Sequence, residues 1–231
     1  MAHRILPIVL VVTAAAASAC GGGGERAREV RGTARAEVAG IGYTSDQLAQ
    51  ALLTEAPGYR RAGEPDSGEY GSLKAIQNAA RLQREATLDK PRCGTGGPGG
   101  TVAGDVPAAL VSFTGNAGQT ATETLMGMSA ADGEKQVNAR VPSGCLTFRT
   151  KIGSNLSEHR VTEVPKGDVG EGSRTVGVTT TSGTAKSRTW YVVFRGRHYV
   201  ATVSVFGPTA TREDAERLAR EAHTQAERVL P

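Results

Sequence analysis

The strongest pattern of strand-forming residues lies at residues 189–194 and 199–206. In the second run Tyr199, Ala201, Val203 and Val205 share one face of a period-two pattern. Both runs are rich in β-branched and aromatic residues, so they predict a β-hairpin turning through Arg195, Gly196, Arg197 and His198. Residues 190–194 are apolar on both sides, which predicts a central strand. Shorter strand patterns occupy 59–62, 106–114, 119–128, 145–152, 160–164 and 174–181. In the fourth of these, Leu146, Phe148 and Thr150 alternate with Thr147, Arg149 and Lys151, predicting a cationic outer face. Residues 67–71 and 165–172 read as loops.

Helical spacing appears four times. Thr44 or Ser45 caps a first helix carrying Leu48, Leu52 and Leu53, and Pro57-Gly58 stops it. Residues 72–88 hold Leu73, Ile76, Ala79, Ala80 and Leu82 roughly on one side, and 130–141 turn Ala130, Val137 and Val141 inward. Thr211 caps the last helix, with Glu213 and Asp214 in its first turn. Ala215, Leu218, Ala219, Ala222, Ala226 and Val229 form its apolar stripe. Strand hairpins mixed with such helices predict an α+β fold: a largely antiparallel sheet, helices packed on one face, and a C-terminal helix.

The first residues follow a different pattern. His3 and Arg4 precede an apolar run at 5–17, thirteen residues long, which suits a signal peptide and falls short of a membrane-spanning helix. Ala17, Ser18 and Ala19 then lead into Cys20 and four glycines. Small residues before a cysteine resemble the lipobox of bacterial lipoproteins. That resemblance implies cleavage before Cys20 and a diacylglycerol thioether on its sulfur; within the family the new amine is either left free or acylated with a palmitate-type chain. Ala17 stands where leucine is commonest. Ala17-x-Ala19 also suits the ordinary signal peptidase, so a secreted form is the alternative. The expected organisation is a signal peptide at 1–19, a lipid-anchored tether at 20–42 and an extracytoplasmic domain at 43–231, held at the outer face of the cell membrane.

Composition refines this picture at two points. The formal charge of +4 loses only Arg4 with the leader, so the mature chain is near balance, and the compartment speaks against nucleic acid as a partner. Of three cysteines, Cys20 is set aside by its lipid role, which leaves Cys93 and Cys145. Outside the membrane such a pair is expected as a disulfide, with two free thiols as the alternative.

No catalytic signature stands out: G-x-S-x-G, H-E-x-x-H and the P-loop are all absent from the sequence. Gly94, Gly96 and Gly99 fit G-x-G-x-x-G formally. A helix precedes them, Pro98 interrupts them and a strand follows, so they read as a loop, and no cofactor is expected. Two cysteines without a nearby histidine make no metal constellation. His159 and His198 read as solvated edge histidines. Arg195, Arg197 and His198, with Lys186, are candidates for a cationic ligand-binding rim; the alternative is a charged turn protecting a sheet edge. Asn155-Leu156-Ser157 fits a glycosylation sequon that a bacterial lipoprotein rarely uses.

Leu52-Leu53 before Pro57-Gly58, the paired cysteines, and the Trp190, Gly196, Tyr199-Val200 hairpin before a terminal helix span most of the chain beyond residue 43. In this order the parts resemble the extracellular sensor domain of actinobacterial receptor-type serine/threonine kinases of the PknH type and its free-standing lipoprotein relatives. The resemblance implies an antiparallel α+β fold with a cleft for an unknown ligand. It implies two disulfides where this chain offers one cysteine pair, and it carries no ligand residues across.

Three functions compete. The first is a membrane-anchored lipoprotein whose sensor-like domain binds a small molecule or envelope component. The second is a protein-interaction or structural module at the envelope. The third is an envelope hydrolase of unfamiliar layout, set last because no catalytic set is found. An apolar pocket with a few converging polar groups favours the first, a flat exposed apolar patch the second, and a buried carboxylate or a His–Ser pair the third.

Overall fold

The structure, a computed structural model, describes residues 42–94 and 101–230. The expected leader, Cys20, nearly all of the tether and residues 95–100 of the glycine run lie outside the described residues.

Chain order is α1 (Ser45–Ala51), β1 (Tyr59–Arg61), β2 (Asp66–Glu69), α2 (Lys74–Glu85), β3 (Thr87–Leu88), β4 (Pro107–Gly115) and β5 (Thr120–Gly127). There follow α3 (Ala130–Asn138), β6 (Thr147–Ile152), β7 (Asn155–Gly167), β8 (Ser173–Ser182), β9 (Ala185–Arg195), β10 (Tyr199–Gly207) and α4 (Arg212–Val229). The ten strands of the described residues join one antiparallel sheet in the order β1-β4-β5-β10-β9-β8-β7-β6-β3, with β2 also pairing β4. The α+β class, the largely antiparallel sheet and the C-terminal helix are therefore observed. β9 and β10 lie at the middle of the sheet, where the doubly apolar pattern places a strand flanked on both sides.

Local chemistry sets the helix starts. The Thr44 side chain accepts the Gln47 N–H at 3.3 Å, and Gln47 returns the bond to the Thr44 N–H at 2.9 Å, closing a capping box. Ser129 and Thr211 accept the N–H groups of Asp132 and Asp214, both at 3.1 Å.

Alternation along the strands then divides the core. Ala109, Val111, Phe113, Leu125, Val192, Phe194, Ala201, Val203 and Val205 meet α1 and the stripe of α4 on one face. Ala108, Leu110, Met126, Val193 and Val200 meet Val137 of α3 and Leu73 on the other. The helices thus divide between faces, α1 and α4 on one and α3 opposite. A sheet apolar on both sides near its middle needs cover on both. At Gly177 the neighbouring strand comes so close that a Cβ would sit 2.5 Å from the Trp190 ring.

Several boundaries differ from the sequence reading. The first part of the loop expected at 67–71 belongs instead to β2, whose backbone pairs along β4. The strand expected at 160–164 is the thirteen-residue β7, which reaches into the loop expected at 165–172. Its residues are mostly polar, so pairing with β6 and β8 on both sides, not apolar alternation, makes it a strand. Pro165 falls where the β7–β8 register shifts, between Val164 and Gly167. The helix expected through residue 88 ends at Glu85, and Thr87–Leu88 turns to pair with β6. Cys145 belongs to a helical turn, Ser143–Cys145, ahead of β6. α3 ends at Asn138, so Val141 lies beyond it, and Ala130 is exposed; Gly133 and Val137 are the buried residues of the helix.

Candidate functional site

The disulfide between Cys93 and Cys145 is present, with the Cα atoms 5.4 Å apart. It ties the turn after β3 to the turn before β6. The same segment is strapped down by polar bonds: Lys90 Nζ donates to the carbonyls of Gly144 at 3.0 Å and Thr147 at 2.5 Å, and the Arg149 N–H donates to Asp89 at 2.8 Å. Residues 86–94 therefore stand as a wall over the β6 end of the sheet.

Between that wall and residues 139–142 beyond α3 lies a cavity of about 460 Å³. Its floor is the α3-side face of four adjacent strands: Phe148 and Thr150 of β6, Val161 of β7, Arg174, Val176 and Val178 of β8, and Tyr191 of β9. Register explains the set, since Val161 pairs with Val178 and Val176 with Tyr191, and paired residues share a face. Leu88, Val141 and Pro142 add apolar walls; Arg92 and Arg140 add cationic ones. The volume falls in the range of small-molecule sites, and the lining is mainly apolar with a few polar groups.

The deepest of those groups is Arg174, whose side chain is only 2% exposed. Its Nε donates to the Gln136 carbonyl at 3.2 Å and its Nη1 to Glu163 Oε1 at 3.4 Å. Burial lowers its pKa from the ordinary arginine value, Glu163 opposes that, and Arg140 adds to it. Arg140 Nη1 donates to the carbonyls of Val137 at 3.3 Å and Ala139 at 3.0 Å. Both arginines thus satisfy carbonyls at the C-terminus of α3, where cations are favoured. Tyr191 has its hydroxyl pKa raised by burial.

At the edge of this floor His159 stacks on Phe148, centroids 4.7 Å apart, and bridges two hydroxyls: Thr150 at 2.7 Å from Nε2 and Thr180 at 3.0 Å from Nδ1. It is half-buried with its pKa lowered by burial, not the solvated edge group expected. Neither ring nitrogen meets a carboxylate, so the contact lacks the third group that orients a catalytic base.

The arginines singled out in the sequence lie elsewhere. Arg195 Nη1 pairs with Glu171 at 2.6 Å, beside Gly133 of α3. His198 packs edge-on against Tyr43, and Arg197 is exposed. Lys186 sits at the far end of β9, at the β8–β9 turn. None of the four lines the cavity. A second, shallower concavity of about 630 Å³ is formed by residues 54–61 and Phe113, mostly loop backbone without buried polar side chains. Among the described residues, no three His, Cys, Asp or Glu side chains are grouped to hold a metal ion.

Among the described residues, one buried carboxylate lies outside the cavity. Glu123 of β5 is 1% exposed, on the α1 side of the sheet. Its Oε2 accepts the Leu53 N–H at 2.7 Å, Oε1 has no partner, and burial pushes its pKa up to about 7. It sits among the apolar side chains of this face, and among the described residues no hydroxyl or thiol bonds it.

Sequence reasoning missed Arg174 and the cavity. Position 174 reads as one polar residue in a β-branched strand, and its burial follows only from α3 lying over β8.

No family model matches the chain, and no curated protein matches it. Among solved structures, the extracellular domain of PknH from Mycobacterium tuberculosis is similar over 81% of this chain and 97% of that one, with 13% identity and a TM-score of 0.52. An uncharacterised protein from Mycobacterium smegmatis is similar over 80% of this chain and 95% of that one, with 16% identity and a TM-score of 0.44. The chain therefore resembles the PknH-type extracellular domain in fold.

Proposed function

We propose that this chain is an extracytoplasmic lipoprotein, anchored through Cys20, whose sensor-like domain binds a small molecule or envelope component in the cavity over β6–β9. The observation that carries the reading is the 460 Å³ cavity itself: an apolar floor, few polar groups, and a wall held by the Cys93–Cys145 disulfide. The fold it shares with a kinase extracellular domain is consistent with a sensing or accessory role. A wall fixed by a disulfide and by Lys90 needs little ordering when a ligand enters, which lowers the cost of binding.

The test is a thermal-shift panel of envelope metabolites and lipids run on the protein and on Val178→Trp, which fills the floor. A ligand that raises the melting temperature of the first and not the second supports the reading; a panel without any shift counts against it. Anchoring is tested separately. Cys20→Ala is expected to move the protein from the membrane fraction to the medium, and a variant that stays with the membrane overturns the anchor.

A docking role is the second reading. It draws on Ile152 and Leu156, 43% and 56% exposed, at the tip of the β6–β7 hairpin. The Ser182 hydroxyl, bonded to the Leu156 carbonyl at 3.4 Å, brings the β8–β9 tip alongside.

A further inference from the structure

The polar groups of the cavity are not a random sample of side chains. Among the described residues, the charged ones that line it, Arg92, Arg140 and Arg174, are all arginines, and no carboxylate lines it. Arg174 is the unusual one. A guanidinium 2% exposed is costly to keep out of water unless its hydrogen bonds are complete. Here Nε and Nη1 are used, at 3.2 and 3.4 Å, while Nη2 has no hydrogen-bond partner among the described residues. Its counter-charge among the described residues, Glu163 Oε1, is divided: it also accepts the Val141 N–H at 3.3 Å. Arg140 spends only Nη1, on two carbonyls, which leaves Nε and Nη2 beside the same cavity. Around Arg174 and Arg140, positive charge exceeds what Glu163 neutralises among the described residues.

We infer that the cavity takes an amphipathic anion: a carboxylate or phosphate head held between Arg174 and Arg140, and an apolar chain laid along Val161, Val176, Val178 and Phe148. The head gains charge-assisted bonds from two guanidinium edges, and guanidinium is the group best shaped for either oxyanion. The ligand's chain removes the apolar floor from solvent. The inference rests on the cavity being a binding site and adds the chemistry of its occupant. A fatty acid and a phospholipid fragment both present this chemistry.

The experiment uses the full chain carrying Cys20→Ala, so that no acyl group of its own competes. Titration calorimetry is run with dodecanoate, dodecyl phosphate, the neutral dodecyl glucoside and inorganic phosphate. Either dodecyl anion is expected to bind about tenfold or more tighter than the glucoside, and inorganic phosphate weakly. Arg140→Gln, an exposed position, is expected to bring anion affinity down toward that of the glucoside and leave the glucoside unchanged; Arg174→Gln should do the same. Preference for dodecyl phosphate over dodecanoate points to a phospholipid source, and the reverse to a fatty acid; both support the proposal. If the arginines serve only to cap α3, their variants lower the melting temperature and leave the anion preference intact, which overturns it. Equal binding of glucoside and anions overturns the head-group inference while the cavity remains a binding site. Absence of binding by all four probes overturns both.

Discussion

Glu123 holds the backbone N–H of Leu53 at 2.7 Å, joining the middle of β5 to the chain where it leaves α1. The second oxygen of the carboxylate has no partner, and the group is 1% exposed. Burial raises its pKa to about 7, so it keeps a proton in the folded state at pH values where the unfolded chain has lost it. The sign follows directly. Stability from this group is complete below the unfolded value of 4.5 and is lost as pH rises to about 7. Glu123→Gln keeps an acceptor for Leu53 and removes the charge. It is expected to flatten the fall in stability across that window and to raise stability at pH 8 by a few kcal/mol. Urea unfolding at pH 5 and pH 8 measures both. An unchanged pH dependence would show that Glu123 is not the titrating group.

The disulfide closes 52 residues of sequence separation. The chain-entropy model assigns a loop of that size about 4 kcal/mol. Cys93→Ser with Cys145→Ser should lower the urea midpoint accordingly and should also weaken cavity ligands, because both cysteines line the wall. Two alkylatable thiols in the oxidised native protein would contradict the bond.

Gly177→Ala is a one-carbon change in a buried strand. The new Cβ would meet the Trp190 ring at 2.5 to 2.8 Å, and that ring packs against the α4-side core. Overpacking of this kind costs roughly 1–3 kcal/mol. A lower melting temperature with altered tryptophan fluorescence is expected; wild-type values for both would refute the contact.

Tyr199→Phe removes a hydroxyl that lies 3.0 Å from both His223 Nδ1 and Glu227 Oε1 of α4. The ring itself remains buried, so the loss is confined to these bonds and amounts to about 1–2 kcal/mol. Calorimetric unfolding reads it. Faster hydrogen exchange in the last turns of α4, without change in β4, would place the loss where the bonds are.

The elements that could be read without the fold are those whose signal is local. Thr211 caps α4 through the N–H of Asp214, and the Ala215 to Ala226 stripe is buried as its spacing predicts. The β9–β10 hairpin shows a doubly apolar strand, a period-two strand and the turn between them in one short stretch. By contrast, β7 has polar residues on both faces and is held by its neighbours on each side, so nothing in residues 155–160 announces a strand. Arg195 looked chemically prominent beside a strong hairpin, but Glu171, 24 positions away in sequence, occupies it.

By its own pattern, then, the chain determined the antiparallel α+β class, the central hairpin and the terminal helix, since propensity, alternation and capping act over a few residues. The cysteine pair was legible by counting, and its joining depends on turns from two distant segments. The cavity was decided by tertiary structure alone. Its lining runs from Gln83 to Tyr191, drawn together by strand order and by α3 crossing above β8 and β9. Arg174 became a buried charge facing a ligand-sized space only through that crossing. Burial is a property of what covers a residue, and the covering helix lies some forty positions away in the sequence.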